Sequence, residues 1–122
     1  MKTMEKWKVI DYYQGHEFSG KYEVSSWGNV RDVKTKTPLA FFSNNRGHGY
    51  LCTRIQDKKG IRAVIKIHRL VAFYFLQKIE GKDEVNHKDC NVKNNSYTNL
   101  EWVTHAENMA HAKKNFLQKD GE

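Results

Sequence analysis

Cysteine and proline are scarce in this sequence, and long apolar runs are absent. The 122 residues contain two cysteines, Cys52 and Cys90, which form no C-x-x-C pair, and one proline, Pro38. Neither a disulfide framework nor a zinc site built on thiolates is therefore expected. No apolar run approaches the roughly 20 residues that a membrane-spanning helix needs, and the N-terminus lacks the layout of a secretion signal. We expect a cytoplasmic protein without a membrane partner.

Positive charge and aromatic residues are abundant by contrast. The chain carries 21 Lys and Arg against 14 Asp and Glu, a formal net charge of +7, and it has three Trp, six Tyr and six Phe. Residues 1–61 alone hold eleven basic residues against six acidic ones. A basic excess favours a polyanionic partner. We therefore expect the first half of the chain to bind that partner.

Alternating patterns in the first half predict β-strands. Residues 21–25 and 30–33 alternate in character around a four-residue turn, and residues 51–56 and 61–67 alternate around a second turn. A period of two is typical of a sheet with one buried and one solvated face. The solvated face of the second pair carries Arg54, Arg62 and Lys66. These cations could line a phosphate backbone, and a merely solvated face is about equally compatible with each of them.

The second half predicts a different local order. Residues 68–76 are apolar nearly all round, which favours a short buried helix. Two short strands, 84–88 and 100–103, follow with the polar loop 89–95 between them. That loop is rich in Asn and Asp, whose side chains bond their own backbone in turns. The predicted order is strand, loop, strand and helix.

A capping box marks the start of the last helix. Thr104 and Glu107 have the spacing in which each side chain bonds the other residue's backbone N–H. The helix is predicted from about His105 to Leu117, with apolar spacings of three and four that would bury Met109, Ala112 and Phe116.

This start places Asn108 near the N-terminal end of the helix, where Asn86 and His87 on the preceding strand can meet it. Histidine titrates near neutral pH and can deprotonate water. Amide oxygens suit a hard cation such as Mg²⁺, which also accepts phosphate oxygens as ligands. This combination of residues suits phosphodiester hydrolysis.

Several segments together resemble a known family, the HNH homing endonucleases of phages. The similar segments are 85–95, 99–104, Glu107-Asn108 and 68–72, with 7–10 and 22–31 resembling a nuclease-associated module. The resemblance implies an α+β fold of the ββα-metal, or His-Me finger, type. It divides the chain into an N-terminal antiparallel β-sheet module that binds DNA, residues 1–48, and an HNH nuclease core, residues 49–122. The ββα motif itself would span about residues 84–117.

The resemblance also implies roles for individual residues. His87 would be the general base, and Asn86 and Asn108 would bind one Mg²⁺ or Mn²⁺ ion per site. Asn99 would tie down the active-site loop and so hold the histidine in place. His111 is an auxiliary metal ligand or, by the simpler reading, a packing residue. The expected DNA contacts are Arg31, Lys34, Lys36, Arg54, Arg62 and Lys66.

Two positions depart from the family's usual pattern. Some members have aspartate where Asn86 stands, so a site with two neutral amides would bind free metal weakly. Cys90 occupies a loop position where glycine is usual, and a positive φ there would strain cysteine by about 1–2 kcal/mol.

The resulting functional hypothesis is a metal-dependent endonuclease that nicks or cuts double-stranded DNA in the cytosol, in the host cytosol if a phage encodes it. No small-molecule cofactor is expected, and both a monomer and a dimer remain compatible with the sequence. Two alternatives stay open: a DNA-binding module with weak or lost cleavage, and a non-specific nuclease or ribonuclease on the same fold.

Overall fold

The structure, a computed structural model, describes residues 4–43 and 49–120, with the side chains of residues 115–120 left out. Its elements, in chain order, are β1 (Trp7–Val9), β2 (Tyr12–Tyr13), β3 (His16–Glu17), β4 (Tyr22–Ser25), β5 (Val30–Asp32), β6 (Phe42–Ser43), β7 (Leu51–Gln56), β8 (Arg62–Lys66), α1 (Ile67–Phe75), β9 (Glu84–His87), a 3₁₀ turn (Tyr97–Asn99), β10 (Leu100–Val103) and α2 (His105–Asp120).

Four small antiparallel sheets carry the strands. β4 lies between β1 and β5, and β7 lies between β6 and β8, while β2–β3 and β9–β10 form two-stranded ribbons. The predicted α+β class and the predicted strand pairs are confirmed. One apolar core joins residues from both halves of the chain, including Phe18, Val24, Ile65, Leu70 and Leu100. The core thereby fixes α1 and the β9–β10 hairpin against the N-terminal sheet.

The predicted burial of α1 needs correction. Strand β8 ends at Lys66 and the helix begins at once with Ile67, one residue earlier than predicted. Its buried residues are Ile67, His68, Leu70, Val71 and Ala72, but the Phe73 side chain is 54% exposed and packs edge-on against Tyr13 at 5.2 Å. The helix is therefore buried on one face rather than all round, because the sheets cover only that side.

The capping box is confirmed. Thr104 Oγ1 accepts a hydrogen bond from the Glu107 backbone N–H at 3.0 Å, and Glu107 Oε1 accepts one from the Thr104 N–H at 2.9 Å. These bonds satisfy two of the amide groups that a helix start leaves unpaired. The predicted start of α2 at His105 is thus correct.

The predicted burial along α2 is wrong. The Met109 side chain is 58% exposed and Ala112 is also exposed, whereas Asn108 and His111 are half-buried. Residues three or four apart share a helix face, and the face of α2 that meets the hairpin carries Asn108 and His111. Met109 and Ala112 are therefore turned away from it, and the side chain of Phe116 lies outside the described residues.

Within residues 4–43 and 49–120, no helix combines the length and the apolar character needed to cross a membrane.

Candidate active site

His87 is the last residue of β9 and is buried. In the β-ladder it stands opposite Leu100, and its side chain is almost completely covered. The Nε2 atom lies 2.7 Å from Oδ1 of Asn95, a buried residue of the following loop. The ring therefore has a fixed partner inside the protein.

The Asn95 contact determines which ring nitrogen of His87 can act as a base. A carbonyl oxygen only accepts hydrogen bonds, so Nε2 carries the hydrogen and the lone pair remains on Nδ1. Burial lowers the pKa of His87, against smaller opposing effects from the Asn95 bond and from Asp89. The imidazole is therefore neutral near pH 7, which is the state a general base requires.

Aromatic rings hold His87 from the other side. The His68 ring lies 5.0 Å from it, and the Tyr50 ring stacks on both histidines, at 4.4 Å from His68 and 5.8 Å from His87. Burial lowers the pKa of His68 to about 3. His68 is thus a neutral packing residue beside His87.

The side-chain amides of Asn86 and Asn108 each donate a hydrogen bond to a glutamate. Asn86 Nδ2 donates to Glu101 Oε2 at 2.7 Å, and Asn108 Nδ2 donates to Glu84 Oε1 at 2.8 Å. Within the described residues, no donor is bonded to the Oδ1 atom of either amide. Each carboxylate therefore orients its amide so that the oxygen remains available to a cation.

The two carboxylates add the negative charge that the amides lack. Hydrogen bonds from Asn108 and then His105 lower the pKa of Glu84, so this carboxylate stays ionised. Glu101 stands directly opposite Asn86 in the β9–β10 ladder, and Glu84 is two residues before it on the same strand face. Amide oxygens held by carboxylates fit a hard divalent cation, and HNH nucleases in general use a divalent metal.

Asn99 ties down the loop that follows His87. Its Oδ1 accepts the Asp89 backbone N–H at 3.1 Å, and its Nδ2 donates to Asp89 Oδ1 at 2.8 Å and to the Asn94 carbonyl at 2.9 Å. The predicted bracing of the loop has this geometry. The direct bond to the histidine, however, comes from Asn95, which the sequence interpretation did not single out.

Cys90 adopts the positive φ that its unusual position suggested, at +64°. Its exposed thiol lies 3.1 Å from His111 Nε2 on α2. His111 therefore contacts the loop that follows His87. This contact favours the packing role over the auxiliary-ligand role.

The six basic residues expected to contact DNA fall into two groups. Arg31 and Lys36 both bond Glu23 Oε2, at 2.6 and 3.1 Å, and Arg31 also lies 3.6 Å from the Trp7 ring. This pairing offsets part of their charge, while Lys34 beside them is exposed. The second group is exposed on one face of the β7–β8 hairpin and consists of Arg54, Arg62 and Lys66.

The second basic group leads toward His87. Lys66 Nζ lies 5.8 Å from the centre of the Tyr50 ring, which itself stacks on His87. An anionic chain bound along the β7–β8 face would therefore approach the histidine.

Three residues of the site were missed by sequence reasoning. Glu84 and Glu101 could have been found from the strand pattern, since Glu84 shares a face with Asn86 and Glu101 follows from the hairpin register. Asn95 carries no such signal, because it lies in an irregular loop with several similar asparagines.

A β-hairpin followed by a helix, with a histidine and an asparagine on the first strand and a second asparagine on the helix, is the ββα-metal arrangement of a nuclease core. The HNH endonuclease family matches residues 66–110, and the NUMOD4 motif matches residues 5–65. The chain therefore contains an HNH endonuclease domain, preceded by a NUMOD4 motif.

Relatives span nearly all of this chain. An uncharacterized HNH endonuclease of Acanthamoeba polyphaga mimivirus is 41% identical over 118 residues, which is 95% of this chain and 28% of that protein. DNA endonuclease I-HmuI of Bacillus phage SP01 is 37% identical over 105 residues, 85% of this chain and 55% of the phage protein.

A solved structure described as DNA binding and cleavage by the HNH homing endonuclease I-HmuI matches with a TM-score of 0.71 and 34% identity. The match covers 90% of this chain and 59% of that chain. This chain thus spans only part of the length of the relatives it matches. The division of modules after residue 48 remains a prediction, and residues 44–48 lie outside the described part.

Proposed function

We propose that this chain is a divalent-metal-dependent DNA endonuclease of the homing type that hydrolyses phosphodiester bonds in double-stranded DNA. The observation that carries the proposal is the buried His87 imidazole, bonded through Nε2 to Asn95 and directly preceded in the chain by Asn86. Consecutive Cα atoms are about 3.8 Å apart. A base and an oxygen ligand therefore lie at the end of the same strand.

His87 supplies the base chemistry. Its Nδ1 lone pair takes a proton from the attacking water, and the Asn95 carbonyl stabilises the resulting imidazolium through Nε2–H. Tyr50 and His68 restrict the ring to one orientation. Correct orientation of a base raises the rate of hydrolysis, because the entropic cost of aligning the reacting groups is already met before the reaction.

Asn86 and Asn108 would hold a single Mg²⁺ or Mn²⁺ ion through their Oδ1 atoms. When bound, such a cation stabilises the negative charge that develops on the leaving oxygen. Glu101 and Glu84 keep the two amides oriented before the cation arrives. The expected products carry a 5′-phosphate and a 3′-hydroxyl.

Arg54, Arg62 and Lys66 would bind DNA phosphates along the β7–β8 face, with Lys34 as a further exposed cation. The partly neutralised Arg31 and Lys36 are weaker candidates. Phosphate contacts position a duplex without reading its sequence. They also make binding depend strongly on salt, because condensed counterions are released.

A plasmid assay tests the proposal. Supercoiled plasmid is incubated with the protein and Mg²⁺ or Mn²⁺, and we expect nicked or linear product that EDTA abolishes. DNA binding at low salt is measured beside it by mobility shift. Retained binding without product in any divalent metal would contradict the enzyme proposal and favour a DNA-binding module, which the uncharged Asn86 makes the specific alternative.

Replacement of Asn95 by alanine tests how His87 is held. The change leaves a buried Nε2–H without its acceptor, which costs about 1–3 kcal/mol, and frees the ring to turn. We expect the cleavage rate to fall by roughly tenfold to a thousandfold, as with orienting partners of other catalytic histidines. Single-turnover cleavage at saturating protein measures the rate.

Two further variants serve as a rescue and as a control for this result. Asn95→Asp keeps an oxygen acceptor for Nε2–H and should restore most of the rate. Asn91→Ala removes an exposed side chain whose Oδ1 accepts the Lys93 backbone N–H in the same loop at 3.0 Å, and it should cleave as the unmodified protein does. Equal rates for Asn95→Ala and Asn91→Ala would show that Asn95 does not position the base.

A further inference from the structure

The turn between β4 and β5, residues 26–29, packs directly against the loop that holds His87. The Ser26 carbonyl accepts the Tyr97 backbone N–H at 2.8 Å. Gly28 is buried in this turn, and a Cβ atom placed on it would lie 2.8 Å from Asn95 Cβ and 3.0 Å from the Asn95 carbonyl oxygen. Only glycine leaves room for this approach.

The turn is itself firmly held. The buried Ser25 hydroxyl accepts the backbone N–H groups of Trp27 and Asn29 at 3.2 and 3.0 Å. Gly28 has φ +91°, a conformation that residues with a Cβ rarely adopt, and its N–H donates to the Ser25 carbonyl at 3.0 Å. A turn fixed in this way acts as a rigid surface behind Asn95.

Asn95 connects the turn to the base. Its backbone and Cβ meet Gly28, and its side-chain oxygen bonds His87 Nε2 at 2.7 Å. Because Asn95 is buried between the two, a displacement at Gly28 would move the acceptor of His87. A turn of the NUMOD4 motif therefore contacts Asn95, the residue that bonds His87 in the nuclease core.

We propose that Gly28 is a positioning residue for cleavage: the turn at 26–29 sets the place of Asn95 and, through it, the orientation of His87. The inference rests on the proposed role of His87 as the base. It gives the N-terminal motif a part in the catalytic geometry in addition to its expected part in DNA binding.

Gly28→Ala tests the inference, with Gly15→Ala as a matched control. Both glycines have positive φ, +91° and +81°, so both variants carry backbone strain, but a Cβ at Gly15 would meet no atom within 4 Å. We expect Gly28→Ala to slow single-turnover cleavage at saturating protein by roughly tenfold to a hundredfold, since misplacement by about 1 Å can cost that much. The dissociation constant for DNA should stay within about twofold of that of Gly15→Ala, because the contact lies behind the loop rather than on the basic β7–β8 face.

A double mutant separates positioning from general damage. If Gly28 acts through the Asn95–His87 bond, Gly28→Ala should slow the Asn95→Ala protein much less than it slows the unmodified one, because coupled changes are not additive. Ser25→Ala, which loosens the same turn without adding an atom, replaces Gly28→Ala in these comparisons if that variant does not fold. A rate equal to that of Gly15→Ala, or an undiminished effect in the Asn95→Ala background, would overturn the inference.

His87→Ala in the same assay keeps the two questions apart. If it cleaves at the unmodified rate, the proposed role of His87 fails whatever Gly28→Ala does. If it is inactive while Gly28→Ala matches Gly15→Ala, only the inference about Gly28 fails.

Discussion

His87→Ala is expected to reduce DNA cleavage by about a hundredfold to ten-thousandfold, the usual contribution of a general base. The variant loses Nδ1, the ring nitrogen that can act as a base because Nε2 is bonded to Asn95. DNA binding should persist, because the basic residues of the β7–β8 face do not depend on the imidazole. Single-turnover cleavage and mobility shifts on the same DNA measure the two effects.

The burial of His87 calls for a control on folding. The ring packs against His68 and Tyr50, so its removal leaves a cavity, and thermal unfolding of the variant should be measured with circular dichroism. His16→Ala is the matched control. It also removes a histidine that is bonded to a buried partner, since His16 on strand β3 lies 2.8 Å from Asp57. Cleavage by His87→Ala at the rate of His16→Ala would contradict the assigned mechanism.

The pH profile gives a second measure of the same group. The base form of His87 is the unprotonated one, so its rate is fully present above the pKa and is lost as the pH falls through it. Because burial lowers that pKa from 6.5, the acid limb should lie below the ordinary histidine range.

Local patterns were enough to predict most of the elements. Strand alternation and the Thr104–Glu107 capping box are properties of a few neighbouring residues. The pairs β4–β5, β7–β8 and β9–β10 and the helix start were predicted correctly, whereas β1, β2, β3 and β6 were not predicted. The burial of Met109 and Ala112 was predicted wrongly, because an apolar spacing on a helix shows a possible face but not which element covers it. In the structure the hairpin meets the face of Asn108 and His111.

The candidate site shows the same difference between local and long-range information. His87, Asn86 and Asn108 could be selected because their chemistry and order resemble a family. Their partners depend on contacts between distant parts of the chain: Glu101 faces Asn86 across the ladder, and Gly28 meets Asn95 across 67 positions. The contact between Gly28 and Asn95 follows from packing, which no local pattern encodes, whereas the register of the β9–β10 hairpin is enough to place Glu101 opposite Asn86.

The second large effect is expected from removing the amide oxygens. Asn86→Ala and Asn108→Ala each delete one proposed ligand and should lower cleavage by roughly tenfold to a hundredfold, with a higher Mn²⁺ concentration needed for half of the maximal rate. Titration of cleavage with Mn²⁺ measures both quantities, and mobility shifts in EDTA should show unchanged DNA binding. An unchanged Mn²⁺ requirement in both variants would exclude these amides as ligands.

Asn86→Asp should act in the opposite direction on cation binding. It places a carboxylate against Glu101, where Asn86 Nδ2 now donates at 2.7 Å, and two carboxylates this close repel or share a proton. We expect a lower melting temperature without metal and a larger rise on addition of Mn²⁺. In the double variant Asn86→Asp, Glu101→Gln, the glutamine amide can donate to the new carboxylate, so the metal-free melting temperature should recover. If the single and double variants melt alike without metal, Glu101 does not hold residue 86, and the orientation assigned to its oxygen is wrong.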